Sequence, residues 1–454
     1  MPEAPVKLYL DKLLKECRKV APSLSLLSSP IKDKALRAMA DRLALDEQAI
    51  MAANEKDVDA LGKSFESDPN RDRLKAAVAR VRMKPDDIKE MADRIRTIAD
   101  LPDPVGAVTS RWERPDGLQV SRVRVPIGVI GVISELKPLV TVESIALCLK
   151  SGNVCVLRGA PEWMLTHHAI GTAMRDAAEQ NGVPPGAWAL IERPEKEVAV
   201  ELIRSVKAID AIIPRGGAGL KKAVLEGAKM PVLCHDAGLT FLYVDDETDI
   251  PLAQNIVINS KAQSAGAANA LDTLLVQQVI ARQFLAALIN RLLDEFKIEV
   301  RGCPKTIALM GQMAMSSHTS IKPATEEDWR QQFQGPVLAV KMVANMDEAL
   351  AHIGSHGPCM AAVIATTGYR SAMRFTREVD AGTVLVNASS RLNAGDSFGF
   401  GADVGLSGSR LHAKGPIGLE QLTCEKYVVF GSGQLRLPHP VPETYFDAIM
   451  LKRP

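Results

Sequence analysis

At 454 residues the chain is long enough for two or three domains with well-buried cores. A formal net charge of +1, with acidic and basic residues interspersed, argues against nucleic acid or an anionic membrane surface as partner. The opening MPEAPVKLYLDKLLKE lacks the apolar core of a signal peptide, and no apolar run reaches the roughly eighteen residues of a membrane span, so a cytoplasmic location is expected.

Taken in order, residues 1–105 read as helices, with apolar positions three or four apart over 36–45, 50–61 and 74–98. The last of these stops at Leu101-Pro102-Asp103-Pro104, where two prolines forbid continuation. Residues 108–125 alternate around Pro115-Asp116-Gly117 and predict a hairpin. From Ile127 short apolar runs alternate with helical segments. Strands are expected at 128–133, 154–157, 188–191 and 209–213, with helices at 141–150, 164–179 and 195–206. A second series follows from Leu239, with strands at 274–276, 307–309, 336–340, 362–364 and 384–386. Its clearest helix is 278–296, apolar at Ile280, Phe284, Leu288 and Leu292. Residues 426–431 are β-rich, and a proline-containing tail closes the chain. Alternating strands and helices with apolar strands predict an α/β protein built on parallel sheets covered on both faces.

Seven cysteines are scattered singly, with no C-x-x-C pair, so neither a zinc site nor a disulfide framework is indicated. His167 and His168 are adjacent on a predicted helix and point apart, which disfavours metal binding there. His235-Asp236 reads as a turn in preference to an acid-base pair.

The stretch NSKAQSAGAANALDTLLV (259–276) resembles the nucleophile loop of the γ-glutamyl phosphate reductase (glutamate-5-semialdehyde dehydrogenase) family, in the aldehyde dehydrogenase superfamily. That loop runs N-x-K-x-Q-R-P-x-x-C-N-A-x-E-T-L-L-V. Asn259, Lys261, Gln263, Asn269, Ala270 and Thr273-Leu274-Leu275-Val276 match it. The cysteine falls on Ala268, and the Arg-Pro pair on Ser264 and Ala265. The likeness extends over nearly the whole chain, through WERPDGL (112–118), RVRVPIGVIGVI (122–133), CLKSGN (148–153), IPRGG (213–217), VNAS (386–389) and HAKGPIGLEQLTCEKYVV (412–429).

The resemblance implies an aldehyde dehydrogenase-like fold of two doubly wound α/β domains with a hairpin arm that pairs subunits. On that plan residues 1–107 and 126–237 form a helical segment with the cofactor domain. Residues 238–390 form the catalytic-type domain, and 108–125 with 391–454 the arm and C-terminal segment. It also implies NADP(H) as cofactor, although no G-x-G-x-x-G fingerprint is present. Arg158 and Glu162 would meet the adenosine ribose and 2′-phosphate, Arg215-Gly216-Gly217 the pyrophosphate, and Gln332 the nicotinamide ribose, where the family has glutamate. The alternative for each is a cap or turn kept for packing. Substrate-site positions fall on Glu135, Lys137, Asn387 and Arg391, and the catalytic positions on Ala268 and Asn269.

The family's chemistry uses the cysteine to displace phosphate from an acyl phosphate, giving a thioester that hydride reduces. Alanine can do neither. The family's YESRPN reads SELKPL here, placing Leu136, Lys137 and Leu139 where polar groups and arginine stood, and its G-H-T-E reads Cys359-Met360-Ala361-Ala362. Lysine cannot make arginine's bidentate fork. Cys359 is a candidate relocated nucleophile or an inert packed thiol. Three functions follow: NADPH-dependent reduction of L-glutamyl 5-phosphate for proline biosynthesis; a non-catalytic binding or regulatory homologue; or direct hydride transfer without covalent capture. The expected partners are further copies of the chain, at least one, and for a regulatory homologue a glutamate kinase or an active reductase paralogue.

Overall fold

The computed structural model describes residues 5–65, 71–233, 238–313 and 321–436. Helices come first: α1 (Val6–Leu24), α2 (Ser29–Leu45), α3 (Glu47–Ser64), α4 (Arg71–Val81) and α5 (Pro85–Asp100). The single helix expected over 74–98 is therefore two. Pro85 lacks the N–H that a helix interior uses, so it starts α5 at the first position, and the Asp87 carboxylate accepts the Lys84 N–H at 2.7 Å. A hairpin follows, β1 (Val108–Glu113) and β2 (Gln119–Pro126).

The first α/β unit contains β3 (Val129–Ser134), α6 (Pro138–Lys150), β4 (Val154–Arg158), α7 (Met164–Gln180), β5 (Trp188–Leu190), α8 (Lys196–Leu202), β6 (Ala211–Arg215) and α9 (Ala218–Gly227). Its strands form one parallel sheet in the order β5-β4-β3-β6. β3 and β4 are buried along their whole lengths, as expected of strands covered on both faces. Two buried lysines tie the helices to this unit. Lys32 donates to the Asp103 carboxylate at 2.8 Å and to the Lys150 carbonyl at 3.2 Å, while Lys150 pairs with Asp33. α8 ends at Leu202, four residues short of the expected helix, and turns follow it to residue 208.

The second unit is β7 (Leu239–Val244), α10 (Ile250–Ala262), β8 (Thr273–Gln277), α11 (Gln278–Asn290), β9 (Glu299–Gly302), α12 (Pro304–Gln312), β10 (Lys322–Pro323), β11 (Val337–Val343), α13 (Met346–His356), β12 (Cys359–Ala365), α14 (Tyr369–Glu378) and β13 (Ala381–Val386). Its parallel sheet runs β10-β9-β11-β8-β7-β12-β13. Along β7, Leu242 and Val244 join a core with α10 and α11, whereas Phe241 and Tyr243 join another with α13 and α14. Alternate residues thus face opposite layers, and the sheet is doubly covered. The strand expected at 307–309 is instead part of α12. The apolar run Ile307-Ala308-Leu309-Met310 follows Pro304, which opens a helix, and β9 takes the sheet position just before it. The helix expected over 278–296 ends at Asn290 and continues to Glu295 as a wider π-turn.

Two short strands, β14 (Leu406–Ser407) and β15 (Gly415–Pro416), precede β16 (Thr423–Phe430), which pairs antiparallel with β2 along its full length to make the sheet β1-β2-β16. The intervening Ala402, Val404, Ile417, Leu419 and Leu422 pack into the core of the first α/β unit. No helix among the described residues is long and apolar enough to cross a membrane. His235-Asp236 and the tail beyond residue 436 lie outside the described residues.

Candidate functional site

The loop between α10 and β8 is fixed from beneath. Lys261, at the end of α10, is fully buried and donates to the Ala265 carbonyl at 3.2 Å, with its ammonium 5.7 Å from the centre of the Phe333 ring. Burial lowers its pKa to about 8 against the opposing effect of Asp272. Asp272 accepts the Thr240 and Phe333 N–H groups at 2.9 and 3.0 Å. Burial nevertheless raises it to about 7, outweighing those bonds and Lys261. The Asn269 amide donates to the Arg391 and Asn393 carbonyls at 3.2 and 2.9 Å, and Ser390 Oγ donates to the Asn269 carbonyl at 2.8 Å. The loop thereby holds Ala268 out, exposed, with Gln332 Nε2 donating to its carbonyl at 2.7 Å.

Ala268 stands where two chambers meet. The larger, of about 1100 Å³, extends from Ala268 across the carboxyl ends of β3, β4 and β6 to Glu162 and Lys196. Ligands in open α/β sheets bind at such strand ends. Glu135, Arg158, Gly216 and Gly217 also line it, together with Gln332. The first turn of α9 faces it, and Lys221 is the first residue whose N–H bonds back, to the Gly217 carbonyl at 3.2 Å. At Gly216 a Cβ would come within 2.5 Å of Glu135 Oε2 and 2.8 Å of Leu220, so only glycine fits that turn without movement. Arg158 Nη2 donates to the Pro194 carbonyl at 3.0 Å, but its buried Nε has no partner among the described residues. Glu162 pairs with Arg80, a residue for which the helical N-terminal segment offered no functional signal. Lys196 was missed as well, because a lone lysine near a helix start is a common surface feature.

The smaller chamber, of about 240 Å³, is lined by Arg215, Asn269, Met360, Asp403 and Leu406 beyond the residues it shares with the first. Arg215 thus lines this chamber, while Gly216 reaches both and Gly217 lines the larger. Asp403 is a third residue missed from sequence, since its approach to Arg215 joins segments far apart in the chain.

Three of the expected site residues line neither chamber. Lys137 turns to Glu90, 3.8 Å away. Asn387 adopts a left-handed φ of 54° and exchanges amide bonds with the Thr366 backbone. Arg391 donates from Nε to Gln263 Oε1 at 2.7 Å, bracing the nucleophile loop. Cys359 is buried at the start of β12, outside both chambers, and burial pushes its thiol well above the ordinary range. That is a packed thiol, the opposite of an activated one. His167 and His168 do diverge, His167 toward Thr141 Oγ1 and His168 toward Glu192. Among the described residues no group of three or more His, Cys, Asp or Glu is placed to hold a metal.

The larger chamber fits a dinucleotide: its size, the open helix start, and the cationic Arg80, Arg158, Lys196 and Lys221 against Glu135 and Glu162 suit a long anion.

The aldehyde dehydrogenase family model matches residues 74–308 and 322–428. The chain is 42% identical to the γ-glutamyl phosphate reductase of Heliobacterium modesticaldum, over 93% of this chain and 97% of that one. It is 43% identical to that of Moorella thermoacetica, over 92% and 96%. The crystal structure of γ-glutamyl phosphate reductase from Thermotoga maritima superimposes with a TM-score of 0.86 at 37% identity, covering 94% of this chain and 99% of that one. An acetylating aldehyde dehydrogenase from Geobacillus thermoglucosidasius, at 16% identity and a TM-score of 0.65, shares the fold. With sequence and fold alike along almost their full lengths, this chain belongs to the γ-glutamyl phosphate reductase family of the aldehyde dehydrogenase superfamily.

Proposed function

We propose that this chain is a ligand-binding homologue of γ-glutamyl phosphate reductase that retains an NADP(H) cleft and does not carry out the covalent reduction of L-glutamyl 5-phosphate. One observation carries the reading. At the junction of the chambers stands Ala268, and among the described residues none that lines either chamber is cysteine, serine or threonine. Without a thiolate no thioester forms, and hydride supplied by a bound NADPH has no acyl-enzyme to reduce. Arg158, Lys196 and the first turn of α9 would hold the dinucleotide, and Gln332 borders the loop where the nicotinamide end would lie. Intact mass after incubation with an acyl phosphate should be unchanged. An adduct on any residue of the 263–272 loop would end the proposal.

The intact bracing of the loop by Lys261, Asn269 and Ser390 favours a second reading, a reductase silenced by the one change at position 268. The substitutions at Leu136 and Gln332, both beside Ala268, favour the first.

Self-association, to at least a dimer, belongs to the same proposal. The sheet β1-β2-β16 exposes Trp112, Tyr427, Val429 and Phe430, apolar surface that a second copy of the chain would cover. A monomeric mass by light scattering would remove this part without touching the rest.

A further inference from the structure

A third concavity, of about 710 Å³, shares no lining residue with either chamber. It runs between α1 and the turn that follows α8. Lys7, Asp11, Leu14, Lys15 and Arg18 recur three or four residues apart, so one face of α1 makes a wall about 16 Å long. Lys7, Lys15, Arg18, Lys19, Arg204 and Lys207 line the groove against two carboxylates, Asp11 and Glu201. Two of these cations are satisfied, Lys19 by Glu16 at 2.8 Å and Arg18 by Asp210. The second pair also fixes α1 against the sheet, because Asp210 accepts the Val129 N–H at 2.8 Å. No carboxylate among the described residues forms an ion pair with Lys7, Lys15, Arg204 or Lys207, although Asp11 stands one helical turn from both lysines. The whole chain carries a formal net charge of only +1, so the excess is local. Like charges gathered in a concavity repel one another, and an anion bound among them relieves that repulsion. The volume is that of a small-molecule site. A row of phosphates spreads its charge along a line, as this wall does, and lysine and arginine both bind phosphate.

We propose that this groove binds a small polyanion carrying several phosphate groups in a row, with Lys7, Lys15, Arg204 and Lys207 as its counter-charges. The site is separate from the dinucleotide cleft and does not depend on that reading. One helix borders both: Lys196, Ala199 and Val200 of α8 line the larger chamber, and Glu201, the next residue, lines the groove.

Calorimetric titration of the full chain with inorganic tripolyphosphate, with and without NADPH, tests it. Tripolyphosphate should bind in both conditions. The triple change Lys15→Glu, Arg204→Glu and Lys207→Glu should weaken it at least about tenfold. Lys34→Glu, Lys56→Glu and Lys305→Glu together reverse as many charges at exposed positions outside the groove, and that control should bind as the unmodified protein does. Equal losses in the two variants would reveal only diffuse attraction and overturn the proposal, as would no binding at all. Adenosine triphosphate as a second probe separates the sources of the phosphate row. Tighter binding than tripolyphosphate assigns the groove to nucleotides, with Leu14, Val206 and Ala208 under the base, and equal or weaker binding assigns it to free polyphosphate; either supports the site. Should the triple variant fail to fold, hydrogen exchange of the unmodified protein decides. Tripolyphosphate should protect residues 201–208, whereas protection confined to 158–162 and 216–221 would put the anion in the larger chamber and overturn the proposal. Failure of NADPH to bind would count against the dinucleotide reading alone.

Discussion

The side-chain amide of Gln332 donates a 2.7 Å hydrogen bond to the carbonyl oxygen of Ala268, closing the nucleophile loop against the segment that precedes β11. An amide can do this and a carboxylate cannot, because a carboxylate at 332 would set one acceptor against another. Gln332→Glu should therefore loosen the loop by about 1 kcal/mol, the usual net worth of a partly exposed bond. Hydrogen exchange should accelerate over residues 264–272 and remain unchanged in the β7–β8 core. Equal exchange in both proteins would show that the bond holds nothing.

Restoring the thiol should not restore a reductase. Ala268→Cys returns the nucleophile to an exposed position, so it should react readily with iodoacetamide, but Leu136 still lines both chambers and Gln332 still caps the loop. Each misplaced contact costs about tenfold per 1.4 kcal/mol of lost transition-state stabilisation. Turnover should stay at least about a thousandfold below that of a revertant also carrying Leu136→Ser, Lys137→Arg, Leu139→Asn and Gln332→Glu. Steady-state assay of the two variants side by side decides this. Near-equal rates would favour the singly silenced reductase.

Cys359 should be inert. Its thiol is buried, with burial raising its pKa, and it lines neither chamber. Native labelling followed by peptide mass mapping should modify the exposed Cys424 and leave Cys359 unmodified until the protein is unfolded.

Stability should fall as pH rises through the range set by Glu143. Burial on α6 pushes this carboxyl up to about 7, outweighing the nearby Arg215 and Arg94, whereas in the unfolded chain it titrates near 4.5. Between those values the folded state holds a proton that the unfolded state has released, so stability declines with rising pH. Glu143→Gln removes the titration, so its stability relative to the unmodified protein should be greater at pH 8 than at pH 4. Urea denaturation at both pH values measures the difference, and parallel profiles for the two proteins would contradict it.

Much of the architecture was legible because the signals were local. Residues 128–133 and 154–157 are short apolar runs bounded by turn residues, which bury as covered strands, and Pro115-Asp116-Gly117 is hairpin-turn chemistry. The run at 307–310 was not legible, since four apolar residues fit a strand or a buried helix equally until Pro304 is seen to open one. At the site, Ala268 could be found because its frame is contiguous. Asp403 and Arg80 could not, because packing over long sequence separations brings them to the chambers. Lys137 follows β3 as the motif expects, and its side chain lines neither chamber. The side chain is half exposed and lies 3.8 Å from Glu90, a contact between distant segments that the sequence does not show.

The most direct test combines binding with turnover on one preparation of the unmodified protein. NADPH is titrated by its fluorescence, then NADP⁺, phosphate and glutamate 5-semialdehyde are supplied and nicotinamide absorbance is followed. The proposal predicts saturable NADPH binding in the micromolar range, of order −8 kcal/mol, and no absorbance change above the protein-free rate. Sustained NADPH formation at rates typical of enzymes, about 1 per second or more, would contradict it and show that the chain reduces or oxidises its substrate without a thiol at position 268.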